Sequence, residues 1–297
     1  MIVHDASRVI DRQLPHPTAL RRRIIPCSTT RLVCRGVPLV MGVLNVTPDS
    51  FSDGGRYVDA HDALRRGREM AQEGADLLDV GGESTRPGAR PVPPDEELRR
   101  VIPVIEQLSR TVRIPLSIDT SKAEVAAQAL AAGASLVNDV TALQGDARMA
   151  KVIAERRAGV ILMHMRGTPR TMQRAPRYQD VVEEVAAFLA AAAARAQAAG
   201  IERAHILIDP GLGFGKTVAH NLELLRRLDR FVSLGFPVVV GPSRKSFIGK
   251  TLEVDVENRL AGTLACVAAA QRRGAQVVRV HDVRPAVQLI RMLEAIG

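Results

Sequence analysis

The chain is poor in aromatic residues and in cysteine. Aromatics make up 3% of its 297 residues, tryptophan is absent, and three cysteines occur, at Cys27, Cys34 and Cys266. The hydrophobic fraction of 46% must therefore build an aliphatic core. Three cysteines without metal-binding or redox spacing exclude a disulfide-rich framework and a zinc finger, and they favour a reducing, cytoplasmic location.

Long hydrophobic runs are also missing. No apolar run approaches the roughly 20 residues of a membrane span, and the N-terminus lacks the charged-then-apolar pattern of a signal peptide. We therefore expect no membrane partner. The net charge is +9, but we find no basic stripe interleaved with aromatics and no RNA-binding signature. A solvated surface together with a small anionic substrate explains this charge more simply, and we expect no nucleic-acid partner.

Eight short apolar runs each end in a cluster of polar residues or glycine. The runs are 39–44, 76–80, 114–118, 135–137, 159–162, 205–208, 237–240 and 276–278. Helical spacing follows at about 59–73, 95–110, 121–132, 146–157, 178–199, 219–230, 256–273 and 283–295. This alternation predicts an α/β fold, a single (β/α)8 TIM barrel, with its chemistry at the carboxyl ends of the strands.

The first residues differ from the rest. Residues 1–36 hold three prolines and the basic run 21–23, so we expect a partly flexible N-terminal extension with a short hairpin near 30–37 at the barrel floor. Residues 37–297 form the predicted barrel. The connections 45–56 and 81–94 are long for strand-to-helix loops, which makes them candidate lids.

The segment 209–216 resembles two phosphate-binding loops and fits neither. A Walker A loop needs glycine where Pro210 stands, and the dinucleotide fingerprint needs glycine or alanine where Lys216 stands. ATP and NAD are therefore not expected. Two interpretations stay open: Asp209 points to the barrel centre beside a glycine turn that admits a ligand, or Asp209 only caps that turn.

Carboxylates follow two of the predicted strands. Asp119 and Asp209 could each accept two N–H bonds from the edge of a planar amidine or guanidine. The sequence Asp-Thr-Ser at 119–121 would equally suit a helix cap, so this alternative stays open for Asp119.

Cationic and hydroxyl side chains follow the last two strands. Ser243, Arg244 and Lys245 come after the seventh run, and Arg279 and His281 after the eighth. In such barrels these loops often bind phosphate. The seven histidines never pair as HxH or HxxxH, so any metal would be Mg²⁺ that arrives with a phosphate.

Eight segments, in one order, resemble the dihydropteroate synthase family of bacterial folate synthesis. They are 41–55, 82–88, 117–120, 138–140, 162–165, 209–216, 243–246 and 279–282, and the likeness runs from about 39 to 296. The resemblance implies a pterin-binding barrel and a transferase. It would join (7,8-dihydropterin-6-yl)methyl diphosphate to 4-aminobenzoate, release diphosphate, act as a homodimer and be sensitive to sulfonamides.

The resemblance also assigns roles to residues of this chain. It places the pterin diphosphate on Thr85, Asp119, Asn138, Asp209, Lys245, Arg279 and His281, with Arg86 joining the diphosphate clamp. It places 4-aminobenzoate on Pro87, Phe214, Ser243 and Lys245, and Mg²⁺ on Asn45. The implied catalytic residues are Phe51, Asp53, Thr85, Arg86, Asp119 and Lys245, the first two brought in by a closing loop.

Two other functions fit parts of the pattern. A methyltransferase that moves methyl from methyltetrahydrofolate to a corrinoid protein would share the pterin-binding Asp and Asn residues. It would not need the Ser-Arg-Lys and Arg-x-His segments at 243–245 and 279–281. A non-catalytic pterin-binding paralogue is the second alternative, and the intact Phe51, Asp53, Thr85 and Arg86 argue against it.

Overall fold

Eight parallel strands form a ring. The structure, a computed structural model, describes residues 23–47 and 56–297. The strands of the ring are β3 Leu39–Asn45, β4 Leu77–Gly81, β5 Leu116–Asp119, β6 Leu136–Asp139, β7 Gly159–Met163, β8 Ile206–Asp209, β9 Val239–Val240 and β10 Val277–Val280. They lie in the order β8-β7-β6-β5-β4-β3-β10-β9, and a parallel bridge between Ile208 and Val238 joins the two ends of the sheet. The predicted TIM barrel is confirmed.

Helices follow the strands around the outside. They are α1 Arg56–Gln72, α2 Pro94–Thr111, α3 Ala123–Ala132, α4 Met149–Arg156, α5 Val181–Ala198, α6 Val218–Arg226, α7 Asp229–Val232, α8 Ser246–Leu252, α9 Leu260–Arg272 and α10 Val283–Ile296. Within the described chain, none of these helices is long and apolar enough to cross a membrane.

Two helix predictions were wrong in detail. The helix expected at 219–230 is divided into α6 and the short α7, and the helix expected at 256–273 begins only at Leu260. The helix α8 was not expected. Its two turns are too short to show a helical period, and it is held by the burial of Phe247 and Ile248.

A hairpin lies at the amino end of the barrel. Strands β1 Arg23–Cys27 and β2 Thr30–Cys34 pair antiparallel. Their buried side chains, among them Ile25 and Leu32, share one cluster with Leu77 and Leu136 at the lower ends of the ring strands. The hairpin therefore begins well before the expected 30–37, and its apolar face forms the barrel floor without any aromatic side chain.

Strand alternation decides which side chains reach the barrel interior. In β4, Leu78 and Val80 pack in the layer between the ring and the helices, whereas Leu77 packs in the inner cluster. Because successive side chains on a strand face opposite sides, Asp79 points inward with Leu77. The same period turns Asp119 of β5 inward while Ile118 packs against the helices.

Candidate active site

A row of strand-end residues crosses four neighbouring strands at one height. Asn45 pairs in register with Gly81, Gly81 with Asp119, and Asp119 with Asn138. Three of these four positions carry carboxylate or amide groups that the sequence singled out. A Cβ at Gly81 would lie 3.5 Å from the Cβ of Asp119, so the glycine leaves space beside that carboxylate.

Arg279 joins this row from β10, the strand next to β3. Its Nε donates to Oδ2 of Asp79 at 2.6 Å, and its Nη2 donates to Oδ2 of Asp119 at 2.8 Å. The Nδ2 of Asn138 donates to the same Asp79 oxygen at 2.9 Å. One guanidinium and one amide are thus fixed by two buried carboxylates, although 200 residues separate Arg279 from Asp79.

Asp119 does not cap the helix that follows it. The N-cap of α3 is Lys122 and makes no side-chain capping bond; the N–H of Ala123 donates instead to Asp146. Burial raises the pKa of Asp119 to about 7, even though the Arg279 guanidinium lowers it. The interpretation of Asp119 as a helix cap was wrong.

Asp209 combines the two roles that the sequence left open. Its Oδ1 accepts the N–H of Gly211 at 2.7 Å, which stabilises the turn, and the residue is buried at the end of β8. Burial raises the pKa of Asp209, and the bond from Gly211 opposes this shift. Gly211 has a φ of +68°, and a Cβ there would lie 2.0 Å from the carbonyl oxygen of His164, so only glycine fits.

A buried lysine supports the loop that follows Asp209. The Nζ of Lys216 lies 2.9 Å from Nδ1 of His164 and donates to the carbonyl of Phe214 at 2.9 Å. Burial lowers the pKa of Lys216 well below its ordinary value. Lys216 therefore holds the backbone of the Phe214 loop.

Lys245 and Phe214 meet above that loop. The Nζ of Lys245 lies 4.0 Å from the centroid of the Phe214 ring, and it also donates to the carbonyl of Leu212. Burial lowers the pKa of Lys245 to about 7, although the Asp209 carboxylate opposes this effect. Two of the residues expected at 4-aminobenzoate are thus in contact, and one of them, Lys245, is close enough to Asp209 for the two charges to interact.

His281, just past the end of β10, contacts Ser243 in the turn that follows the neighbouring strand β9. The backbone N–H of His281 donates to Oγ of Ser243 at 3.1 Å, and Nδ1 lies 3.0 Å from the same oxygen. Burial and the nearby Arg279 lower the pKa of His281 to about 3, so the ring is neutral at neutral pH. The neighbouring Arg244 forms an ion pair with Asp282 instead.

The loop between β4 and α2 is anchored at its start. Lys122 donates to both Glu83 and Glu97, and Glu97 is fully buried. Beyond this anchor Thr85 is half-buried, whereas Arg86 and Pro87 are exposed. Arg86 is one of the charges that lower the pKa of His281, which places it beside the predicted diphosphate clamp.

Three predicted residues bear on the metal and the lid. Asn45 is half-buried at the end of β3, where its amide oxygen could serve as a ligand. Within residues 23–47 and 56–297, no group of three His, Cys, Asp or Glu side chains could hold a metal ion. Phe51 and Asp53 lie outside the described residues.

The assembled groups can recognise a planar nitrogen heterocycle and an anion together. Buried carboxylates can accept N–H bonds, the Asn138 amide adds a further polar contact, and Arg279 and His281 at the end of β10 supply donors for an anion. Residues 41–281 match the family described as pterin binding enzyme. The chain belongs to this family.

Individual members of this family are similar to this chain over most of its length. The dihydropteroate synthase of Escherichia coli (strain K12) is 47% identical over 258 residues, which cover 87% of this chain and 91% of that protein. The dihydropteroate synthase of Bacillus subtilis (strain 168) is 42% identical over 92% of this chain and 93% of its own. A solved dihydropteroate synthase of Xanthomonas albilineans with 4-aminobenzoic acid has a TM-score of 0.88 at 47% identity, covering 93% of this chain and 98% of the solved one.

Sequence reasoning missed one buried residue of this candidate site. Asp79 lies inside the apolar strand Leu77–Gly81, not at its end, and it is fully buried. The signal was available, because an unpaired carboxylate is costly in an aliphatic strand and needs a buried partner. The partners, Arg279 and Asn138, are distant in sequence, so the strand pattern alone could not name them.

Proposed function

We propose that this chain is a dihydropteroate synthase. It condenses (7,8-dihydropterin-6-yl)methyl diphosphate with 4-aminobenzoate and releases 7,8-dihydropteroate and diphosphate. The observation that carries the proposal is the joint presence of a buried carboxylate–amide row and the Arg279–His281 end of β10 in one barrel mouth. Relatives at 47% identity over most of the chain carry that activity in their names.

The first half of the site suits the pterin. Asp209 has one oxygen engaged with Gly211, and its other oxygen can accept N–H bonds from the aminopyrimidine edge. Asp119 and Asn138 lie at equal height on adjacent strands and supply further polar contacts. A charge-assisted bond of this kind contributes about 1.5–3 kcal/mol, enough to select such a heterocycle.

The second half suits the leaving group. Arg279, with Arg86 and the neutral His281, would bind the diphosphate oxygens as the C–O bond to the exocyclic CH₂ breaks. The pterin ring delocalises the positive charge left on that carbon. The amine nitrogen of 4-aminobenzoate then forms the new C–N bond and loses its proton, so the reaction needs positioning and exclusion of water more than covalent catalysis.

The second substrate would lie beside the Lys245–Phe214 contact. The Phe214 ring offers an aromatic face, and Lys245 offers a cation to the benzoate carboxylate. Pro87 lies on the loop that approaches from β4, where the N–H of Gly88 donates to the carbonyl of Pro169 at 3.0 Å. Ser243 contacts His281, so we assign it to the border between the two substrates. Sulfonamides should therefore compete with 4-aminobenzoate.

Mg²⁺ fits this site as a companion of the diphosphate. Asn45 would supply one oxygen ligand, and phosphate oxygens and water would supply the rest, which is the usual mode for Mg²⁺. Bound there, the ion would neutralise charge on the leaving group. Chelation of Mg²⁺ should abolish product formation while binding of a pterin without diphosphate persists.

Assembly and location stay predictions. A homodimer is supported by exposed large apolar side chains near the C-terminal helices, namely Leu252, Val256, Leu260, Met292 and Ile296. Light scattering at two protein concentrations tests it, and a monomer at both would contradict it. The expectation of a cytoplasmic enzyme rests on the cysteine usage and the resemblance.

Complementation tests the activity in a cell. The chain should restore growth without added folate end products to a bacterium that lacks its own dihydropteroate synthase. The matched control is Asp209→Asn, which keeps the side-chain size but removes the charged acceptor. Equal growth with the wild-type chain and with this variant, or no growth with either, would contradict the proposal.

A further inference from the structure

Asp79 lies one layer beneath the residues that would touch the pterin. Its register partner on β5 is Ser117, whereas Asp119 and Asn138 stand at the next inward-facing level. The side chain is fully buried, so it is shielded from solvent by the layer above. A carboxylate at this depth is costly unless hydrogen bonds stabilise it.

One oxygen of Asp79 makes both of its bonds. Oδ2 accepts from Nε of Arg279 at 2.6 Å and from Nδ2 of Asn138 at 2.9 Å. The other oxygen, Oδ1, has no hydrogen-bond partner in the part of the chain that the structure describes. Among the described residues, two hydrogen bonds stabilise the buried Asp79 carboxylate, and both come from side chains of the proposed pterin diphosphate site.

The contact with Asn138 fixes which end of that amide meets a ligand. Because Nδ2 donates to a carboxylate, the reverse orientation would set the amide oxygen of Asn138 against Asp79 and repel it. The Asn138 oxygen is thereby kept free to accept a ligand N–H. On Arg279, Nε is bound by Asp79 and Nη2 is bound by Asp119. These two bonds fix the plane of the guanidinium group.

We infer that Asp79 is a positioning residue for pterin recognition, acting through the amide orientation of Asn138 and the guanidinium plane of Arg279. This inference rests on the proposed function. It adds a residue that touches no substrate but sets the donor and acceptor pattern that the substrate meets. At metal sites, replacing a residue that orients a binding side chain typically costs about 10–100-fold in affinity or activity, and we expect a comparable effect here.

The test measures binding of 6-hydroxymethylpterin, which carries the ring without diphosphate. Asp79→Ala removes the acceptor and should raise the dissociation constant about 10-fold or more. Asp79→Asn can keep an oxygen at the position of Oδ2 and should recover most of the affinity. In turnover assays the alanine variant should raise the KM for the pterin diphosphate and leave the KM for 4-aminobenzoate unchanged.

The matched control is Asp139→Ala. Asp139 is also fully buried and follows Asn138 directly, but its oxygens accept bonds from Thr141 and Leu143 in its own loop. The substitution Asp139→Ala should lower the melting temperature and leave pterin affinity unchanged. If Asp79→Ala fails to fold, Asp79→Leu replaces it, because leucine fills the position without an acceptor. Its loss of affinity should be smaller in an Asn138→Ala background, where only the route through Arg279 remains.

The outcomes separate the inference from the proposed function. If the wild-type chain does not bind the pterin, the proposed function fails. If it binds and Asp79→Ala binds equally well, the positioning role is wrong. Equal losses for Asp79→Ala and Asp139→Ala would show a merely structural effect, and a full Asp79 effect in the Asn138→Ala background would refute the route through Asn138.

Discussion

Asp119 shares the Arg279 guanidinium with Asp79, so one cation serves two buried carboxylates. Burial raises the pKa of Asp119 to about 7, and the neighbouring charges of Asp79, Glu97 and Asp139 add to that rise. Asp119 therefore gains a proton as the pH falls through neutrality. A protonated acid is a weaker acceptor for ligand N–H groups than a carboxylate.

Pterin affinity should accordingly depend on pH near neutrality. We expect the affinity for 6-hydroxymethylpterin to fall as the pH is lowered from about 8 to about 6, because Asp119 loses its charge in that range. Titration calorimetry over this range tests the prediction. Asp119→Asn should bind more weakly and with a flatter pH profile; an unchanged profile in that variant would show that another group titrates.

The raised pKa of Asp119 also makes the free energy of unfolding depend on pH, but in the opposite direction to pterin affinity. The folded-state pKa of Asp119 lies above the ordinary value of 3.8, so between about pH 4 and about pH 7 the folded chain binds the proton more tightly than the unfolded chain. This contribution to the free energy of unfolding is present below that window and is lost as the pH rises through about 7. Chemical denaturation of the wild type and Asp119→Asn should show a smaller loss with rising pH in the variant; identical slopes would refute the assignment.

Among the individual elements, the loop between β4 and α2 depends on one partly buried ion-pair network. Lys122 bridges Glu83 of the loop and the fully buried Glu97 of α2, and Glu83 also accepts the N–H of Val92 at 3.2 Å. The bridge joins the two ends of the segment that carries Thr85 and Arg86.

Removing the lysine should leave a buried charge unpaired. We expect Lys122→Met to lower the free energy of unfolding by about 3–5 kcal/mol. Adding Glu97→Gln should restore part of this loss, because the uncompensated carboxylate is then gone. Urea unfolding of the two variants measures the difference, and a double variant less stable than Lys122→Met would contradict the explanation.

We expect the hairpin β1–β2 to stabilise the barrel without taking part in its chemistry. Ile25 is fully buried in the cluster at the barrel floor. Ile25→Ala should cost about 2–5 kcal/mol of unfolding free energy, as large-to-small core substitutions do, without changing either KM. The neighbouring Ile24 is 49% exposed, so Ile24→Ala is the matched control and should be nearly neutral. A changed KM in Ile25→Ala would mean that the floor and the site are coupled.

Features set by residues near one another in the sequence could be predicted, whereas features set by contacts between distant residues could not. Strand periodicity and polar strand ends are local signals, so the eight ring strands and the positions of Asp119, Asn138 and Asp209 could be predicted. The helix α8 could not, because two turns carry too little periodicity. Asp79 was missed because its role lies in contacts with Arg279 and Asn138, which only barrel closure brings within reach.

Over the whole molecule, the net charge and the position of the arginines at the barrel mouth both favour anionic substrates. The net charge is +9, and both proposed substrates are anions. Four arginines lie in the loop between β7 and α5, at Arg166, Arg170, Arg174 and Arg177. That loop contacts the Phe214 loop, where Gln173 donates to the carbonyl of Gly213 at 2.6 Å. A positive field at the barrel mouth raises the encounter rate of anions.

One turnover measurement tests the proposed synthase activity more directly than any other. Purified protein, (7,8-dihydropterin-6-yl)methyl diphosphate, 4-aminobenzoate and Mg²⁺ are mixed, and dihydropteroate and diphosphate are followed together. We predict that the two products form in equal amounts, only when 4-aminobenzoate is present, and that a sulfonamide competes with 4-aminobenzoate. Tight pterin binding without product, or diphosphate release that does not depend on 4-aminobenzoate, would contradict the account.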